Sequence, residues 1–278
     1  VKVSEQLPEE IETYRDRMWQ REPERRVETA GEAEKLIERA GFCAAMTDAR
    51  RPGASLYVSV CGRRDAHMPR NVQKDPESSQ TWLLKDEIMR RGRVYYAKLA
   101  KGRAMFVAPR LVPHLNALWG VARRDEGARL SADARAVLKI LRREWEMASS
   151  DLRAAAEMGE RVRLTRALDE LQRTLKVIPG DVMYEPWFTY IWMLAEARFG
   201  AELKVRVKRE VALREVARGF LDGAGMTVRG ELAKVTGLSR PDAGLGNRAL
   251  VAEGYAVRIG EGVYQLADLE RRLGELNN

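Results

Sequence analysis

Two stretches of this 278-residue chain concentrate side chains that grip phosphate and read base edges. Arg161, Arg163, Arg166 and Arg173 fall in one, and Arg240, Asn247 and Arg248 in the other. A guanidinium pairs bidentately with a guanine edge or a phosphate, and an Asn carboxamide pairs with adenine. The whole chain leans the same way: 49 Lys and Arg against 41 Asp and Glu give a formal net charge of +8. Such an excess favours polyanions, because each neutralised phosphate releases condensed counterions. Other chemistries have little to work with. His67 and His114 are the only histidines, which argues against a multi-histidine metal centre and a Ser-His-Asp hydrolase. Cys43 and Cys61, the only cysteines, sit in apolar surroundings without metal-ligand spacing and read as buried free thiols of a reducing cytoplasm. No metal and no cofactor is expected. No apolar run approaches the ~20 residues of a membrane span, and Val1 to Glu12 is too acidic and polar for a secretory signal. The expected location is cytoplasmic.

The elements that must carry these residues recur. Residues 1–26 form a charged helical extension. Thr29, with Glu32 three positions later, caps a helix that stops at Gly41. A short apolar segment, Phe42 to Met46, the loop Asp48 to Ser55 and a core piece, Leu56 to Val60, follow. A long polar connector then runs from Gly62 to Gln80, long enough to read as functional. A helix from Thr81 to Arg91 and a hairpin of Val94–Leu99 and Ala104–Ala108 close a winged-helix-like region over 27–120. In 131–195, Ser131 caps a helix with Val137, Leu138, Leu141 and Trp145 at helical spacing. A second helix starts near Ser149. A third, Glu160 to Thr174, buries Leu164, Leu168 and Leu171 and leaves its four arginines off that stripe. Strands around Gly180-Asp181 complete a second winged helix. In 204–270 the order repeats: Lys208–Ala224, Thr227–Thr236, Arg240–Glu253, then a hairpin around Gly260-Glu261-Gly262. The expected class is α+β, mostly α, with tandem winged helix-turn-helix domains. A winged helix lays its third helix in the major groove, so the expected partner is double-stranded DNA, cradled by one chain acting as a monomer.

The stretch Arg93-Val-Tyr-Tyr-Ala-Lys-Leu-Ala-Lys-Gly-Arg-Ala-Met-Phe-Val-Ala-Pro109, followed by Leu111 to Leu115, resembles the AlkZ-like (YcaQ-like) winged-helix family. Thr81-Trp82-Leu83-Leu84-Lys85-Asp86 resembles its divergent AlkZ-related branch. The resemblance covers most of Val27 to Leu266. It implies a DNA glycosylase that cleaves the N-glycosidic bond of a damaged or bulky base, with a Gln-x-Gln or Gln-x-Asp motif after the first long helix. Here that place holds Gly41-Phe42-Cys43-Ala44-Ala45-Met46-Thr47-Asp48, with Ala44 and Met46 where the motif would stand. Breaking the bond builds positive charge on the sugar, which a carboxylate stabilises while polarising water. Asp48, just past the motif position, and Asp86, with Lys85 beside it, are the candidate catalytic carboxylates. Asp75 is a third, although Gln73-Lys74-Asp75 spells the motif in the wrong element. Trp82, Tyr95 and Tyr96 are candidates to stack on a flipped base, and Lys85 and Lys98 to pair with DNA. The implied setting is DNA repair or defence against phage DNA carrying modified bases. The alternative is a non-catalytic winged-helix DNA-binding protein, a regulator or an inactive homologue.

Overall fold

The computed structural model describes residues 7–277; the first six residues of the N-terminal extension lie outside them. Helix α1 (Glu9–Trp19) precedes three modules of one connectivity. The first comprises α2 (Ala30–Ala40), β1 (Phe42–Ala44), β2 (Ala54–Ser55), α3 (Leu56–Cys61), α4 (Pro76–Arg91), β3 (Tyr95–Lys98) and β4 (Ala104–Val107). Helices α5 (Val112–Trp119) and α6 (Glu126–Arg129) lead to the second. It comprises α7 (Ala132–Glu144), β5 (Glu146–Ala148), α8 (Ser149–Ala155), α9 (Arg161–Arg173), β6 (Val177–Met183) and β7 (Thr189–Leu194). After α10 (Ala195–Lys204) the third comprises α11 (Arg209–Ala224), β8 (Met226–Thr227), α12 (Glu231–Thr236), α13 (Arg240–Ala252), β9 (Ala256–Gly260) and β10 (Val263–Leu266), and α14 (Leu269–Asn277) follows. The class is α+β and mostly helical, as expected. The sheet orders β2-β1-β4-β3, β5-β7-β6 and β8-β10-β9 repeat one rule. The strand after the first helix pairs antiparallel with the last hairpin strand, leaving the other hairpin strand at an edge.

Local chemistry explains most boundaries. Thr29 Oγ1 accepts from Glu32 N and the Glu32 carboxylate accepts from Thr29 N at 3.0 Å, the reciprocal capping box. Ser131 and Ser239 cap α7 and α13. Helix α4 begins at Pro76, five residues before the expected start, because Asp75 accepts from Ser78 N at 2.7 Å and Pro fits the first turn. Asp75 is therefore a cap. Expected helix Thr227–Thr236 shortens to α12, since Met226 and Thr227 pair with β10 and Gly230 turns the chain at φ +75. Trp145, expected on the buried stripe of α7, lies past its end with φ 68 and is 72% exposed. Helices α10 and α14 have no counterpart in the pattern read from the sequence.

The first and third modules share one apolar core, which Leu175, Ile178 and Val182 of the second module join, whereas the rest of the second module packs on its own cluster, built on Leu138, Leu141, Leu164, Leu168 and Leu171. Backbone proximity between α2 and α11 makes the sharing possible. A Cβ on Gly41 (φ +73) would lie 2.6 Å from the Gly219 carbonyl oxygen, and one on Gly223 would lie 2.7 Å from that of Ala40. Only glycine allows both.

Candidate nucleic-acid interface and active site

The outward face of α4 meets the β6–β7 hairpin, and between them lies a buried ion pair. Asp86 is 2% exposed, and Lys85 is buried beside it. The Lys85 ammonium donates to Asp86 Oδ1 and, at 3.0 Å, to the Tyr190 hydroxyl. It sits 4.2 Å from the Trp82 ring centroid and 5.2 Å from that of Tyr190, within the range of cation–π attraction. Tyr184 donates its phenol to Asp86 Oδ2. Burial first, then the Asp86 charge, pushes the Tyr184 phenol up to about 12, so it remains a donor at neutral pH. Phe188 packs on Trp82, Tyr184 and Tyr190 with centroids 5.8, 5.6 and 5.3 Å away. The connecting loop carries Trp187, which is 81% exposed, with Tyr184 and Phe188 also reaching solvent. The result is a buried Lys–Asp pair roofed by aromatic rings, with further aromatic surface at its edge. A buried pair is weak evidence for stability as such, and this one lies against exposed aromatic rings where α4 meets the β6–β7 hairpin, which makes it the candidate site.

Asp48 is placed differently. Its oxygens accept from the Arg50 guanidinium (Nε at 2.8 Å), from Arg50 N at 3.1 Å and from Met68 N at 3.2 Å. The carboxylate staples the 48–68 segment, and the Arg50 hydrogen bond holds its pKa down to about 2. A carboxylate so fully accepted and so weakly basic is a poor proton acceptor. Glu126 resembles it: burial raises its pKa, but hydrogen bonds from Arg142 and Lys176 prevail and hold it at about 2. Both folded values lie below the unfolded ones of 3.8 and 4.5. The stabilisation is therefore complete above about pH 5 and drains as pH falls toward 2, by about 2 kcal/mol per group after allowing for screening at exposed partners. Urea melts of the Asp48→Asn and Glu126→Gln variants should be flatter between pH 5 and 2 than those of the parent chain; parallel curves would remove these carboxylates from the account.

The other candidates scatter. Tyr95 is fully buried, its ring centroid 5.0 Å from that of Phe199; it is a core residue, which corrects its expected role at the DNA surface. Tyr96 is likewise buried, tilted on Phe106. Lys98 pairs with Asp169 at 3.0 Å and Arg163 with Asp133 at 2.6 Å. Arg161, Arg166 and Arg173 on α9, and Arg240 and Arg248 on α13, are exposed and have no ion-pair partner among the described residues. Asn247 is buried on α13.

Module packing assembles a basic seam that local pattern does not reveal. The β3–β4 turn inserts between α9 and the α12–α13 turn, so Lys101 shares a concavity with Arg173, Trp119 and Thr236. Arg103 donates to the Lys234 carbonyl and lies with Arg51 beside Ala44. Burial, then the neighbouring Arg51, lowers the Arg103 pKa, as like charges without a counter-ion require. The sequence signals for this seam were present in the Arg50-Arg51-Pro-Gly loop and the Lys-Gly-Arg turn, but the packing that joins them is tertiary. Ala44, one of the two positions where the glutamine motif would stand, faces this seam, and no carboxylate lines that concavity. Both cysteines are buried and free, and burial pushes each thiol up to about 12. Among the described residues no group of His, Cys, Asp or Glu is placed to hold a metal ion, and no helix is long and apolar enough to cross a membrane.

Three repeats of one connectivity, two of them with exposed arginines free of ion pairs among the described residues on the helix before the hairpin, give an α+β, mostly helical protein whose modules follow the helix-and-hairpin order of a winged helix. The chain belongs to the AlkZ-related family, whose profile matches residues 27–218. Its fold is similar to that of the Streptomyces sahachiroi DNA glycosylase AlkZ, with a TM-score of 0.56 and 15% identity over 95% of this chain and 71% of that one. No curated protein matches the chain.

Proposed function

We propose that this protein binds double-stranded DNA along the arginine seam as a monomer and hydrolyses the N-glycosidic bond of a modified or bulky base. The observation that carries the reading is the Lys85–Asp86 pair beneath the Trp82–Tyr184–Phe188 roof. In this reading Tyr184 and Phe188 swing aside and the base stacks on the exposed rings. The C1′–N bond breaks with its electron pair leaving on the base nitrogen, and Asp86 stabilises the cationic sugar. A water oxygen bonds to C1′, its proton passes to Asp86 and then to solvent, and the base nitrogen is protonated by solvent. Lys85 holds the carboxylate in place. An open aromatic edge, rather than a tight pocket, suits large substrates: a bulky lesion, a crosslink, or a hypermodified base of phage DNA.

The test is incubation with DNAs carrying different base modifications, followed by alkali. Strand breaks at abasic sites on at least one substrate are expected; none across the set would remove the catalytic reading. A second reading, a non-catalytic DNA-binding protein, draws on Ala44 and Met46 at the motif positions. Sequence-selective footprints without base release would favour it.

Trp187 offers a separate check. Stacking on an aromatic ring is worth about 1–3 kcal/mol per base, so Trp187→Ala should weaken binding to a duplex with one unpaired base by about 5- to 150-fold. Binding to a fully paired duplex should hardly change. Equal losses on both, measured by anisotropy, would place Trp187 outside base recognition.

A further inference from the structure

The third module holds a concavity that shares no residue with the Lys85–Asp86 pair. It has a volume of about 630 Å³ and lies between the turn before α12, helix α13 and the β9–β10 hairpin. Four guanidinium-bearing residues line it: Arg229 from the turn, Arg240 and Arg248 from α13, and Arg258 from β9. Only Arg229 has a carboxylate partner, Glu261 at 3.2 Å, and that pair is open to solvent. Arg240, Arg248 and Arg258 have none among the described residues, although elsewhere most arginines of this chain are paired. Cations gathered on the walls of a concave site focus a positive potential that an anion relieves.

Asn247 supplies an independent observation. It lines the same concavity, is 5% exposed, and its Oδ1 has no hydrogen-bond donor. A buried acceptor left unpaired carries a desolvation penalty that a donor removes. Glycine keeps the space open, since a Cβ at Gly244 would lie 3.0 Å from the Arg248 guanidinium and one at Gly262 would lie 3.2 Å from the Arg229 side chain.

We infer that this pocket binds one phosphorylated nucleotide unit, with Arg240, Arg248 and Arg258 on the phosphate and the Asn247 carboxamide on the amino-bearing edge of the base. A bare phosphate would satisfy the arginines and leave Asn247 unpaired. An apolar ligand would do neither. Asn pairs best with adenine, accepting from N6 and donating to N7. The nucleotide comes either from a DNA strand or from a free nucleoside monophosphate, and the chemistry is common to both. The inference goes beyond the catalytic reading and stands if no base is ever released.

The experiment uses the full chain and a labelled duplex with an A·T-rich site, titrated by anisotropy over a range of salt. A parallel calorimetric titration uses 2′-deoxyadenosine 5′-monophosphate. Each of Arg240→Gln, Arg248→Gln and Arg258→Gln alters an exposed side chain and should leave the circular-dichroism melt unchanged. If the strand is the source, each lowers the slope of log K against log salt by about 0.9, and the triple variant by about 2.7. Asn247→Ala weakens binding to the adenine-bearing duplex by about 5- to 150-fold relative to one with G·C pairs at the site. If the free nucleotide is the source, the monophosphate binds the parent chain and the same four substitutions abolish its heat. The proposal is overturned if the triple variant keeps both the parent slope and the parent nucleotide titration. It is also overturned if Asn247→Ala, folded by its melt, binds both probes as tightly as the parent. Base release, measured separately, depends on Asp86 and reports on the other reading.

Discussion

Asp86→Asn should lower single-turnover base release by about 100- to 10,000-fold, the range for loss of a positioned acid–base group. The amide keeps the shape of the carboxylate and can still accept from Tyr184, but it neither balances a sugar cation nor takes a proton from water. The same substitution leaves the Lys85 ammonium buried without a counter-charge, which costs about 3–5 kcal/mol of stability. Lost activity alone would therefore be ambiguous. The pairwise variant Lys85→Met/Asp86→Leu separates the two effects, since replacing a buried ion pair by apolar groups of similar volume is often neutral or stabilising. It should melt near the parent temperature and remain without base release. If it melts normally and still releases base, the chemistry lies elsewhere in the chain. If Asp86→Asn itself releases base at the parent rate, the carboxylate is structural. Asp48→Asn is the control: its carboxylate is already committed to Arg50 and the Met68 amide, and base release should change less than about tenfold, well short of the loss expected for an acid–base group.

Local signals carried the modules into view. The caps at Thr29 and Ser131 and the Gly-containing turns of the first and third hairpins are decided by residues within four positions of one another, and they read correctly; the turn expected at Gly180-Asp181 does not form there, because both residues lie inside β6, which pairs with β7, and the hairpin turns between Met183 and Thr189. What brings functional side chains together does not obey that limit. Asp86 stands out in sequence only as a neighbour of Lys85, yet the tyrosines that complete its site lie 98 and 104 positions further along, on another module. Tyr95 and Lys98 share one strand, and their types do not tell which way each faces; the β3–β4 register buries Tyr95 in the core and turns Lys98 toward α9. The shared core of the first and third modules depends on Gly41, Gly219 and Gly223, and a glycine signals a missing side chain without naming what approaches it. Among the described side chains of helix α14 only Leu269 is buried, too thin a stripe to announce a helix by period.

That shared core makes α1 more than an appendage. Arg15 is buried, and its guanidinium reaches the carbonyls of Ala224 at 3.0 Å and Met226 at 2.8 Å and the Glu231 carboxylate at 3.0 Å. Its plane also lies 4.8 Å from the Trp19 ring centroid. One planar fork thus fastens the first helix to the end of α11, to β8 and to α12, three elements of the third module. Arg15→Ala strands a buried carboxylate and two carbonyls, and should destabilise by about 3–5 kcal/mol. For a chain of this size that corresponds to a fall of about 6–20 °C in melting temperature. The fall should be largest in the unit formed by α1 and the first and third modules, because most buried apolar residues of the second module form a separate cluster and only Leu175, Ile178 and Val182 join the shared one. Calorimetry should therefore split into two transitions, with the one assigned to the second module moved less. Arg15→Lys should recover only a part, since an ammonium supplies the charge without the fork. A single transition shifted as a whole would mean that all three modules unfold together. The Lys85–Asp86 contacts between α4 and the β6–β7 hairpin, with Ile178 and Val182 of β6 in the shared core, would then couple the second module to the rest despite its own cluster.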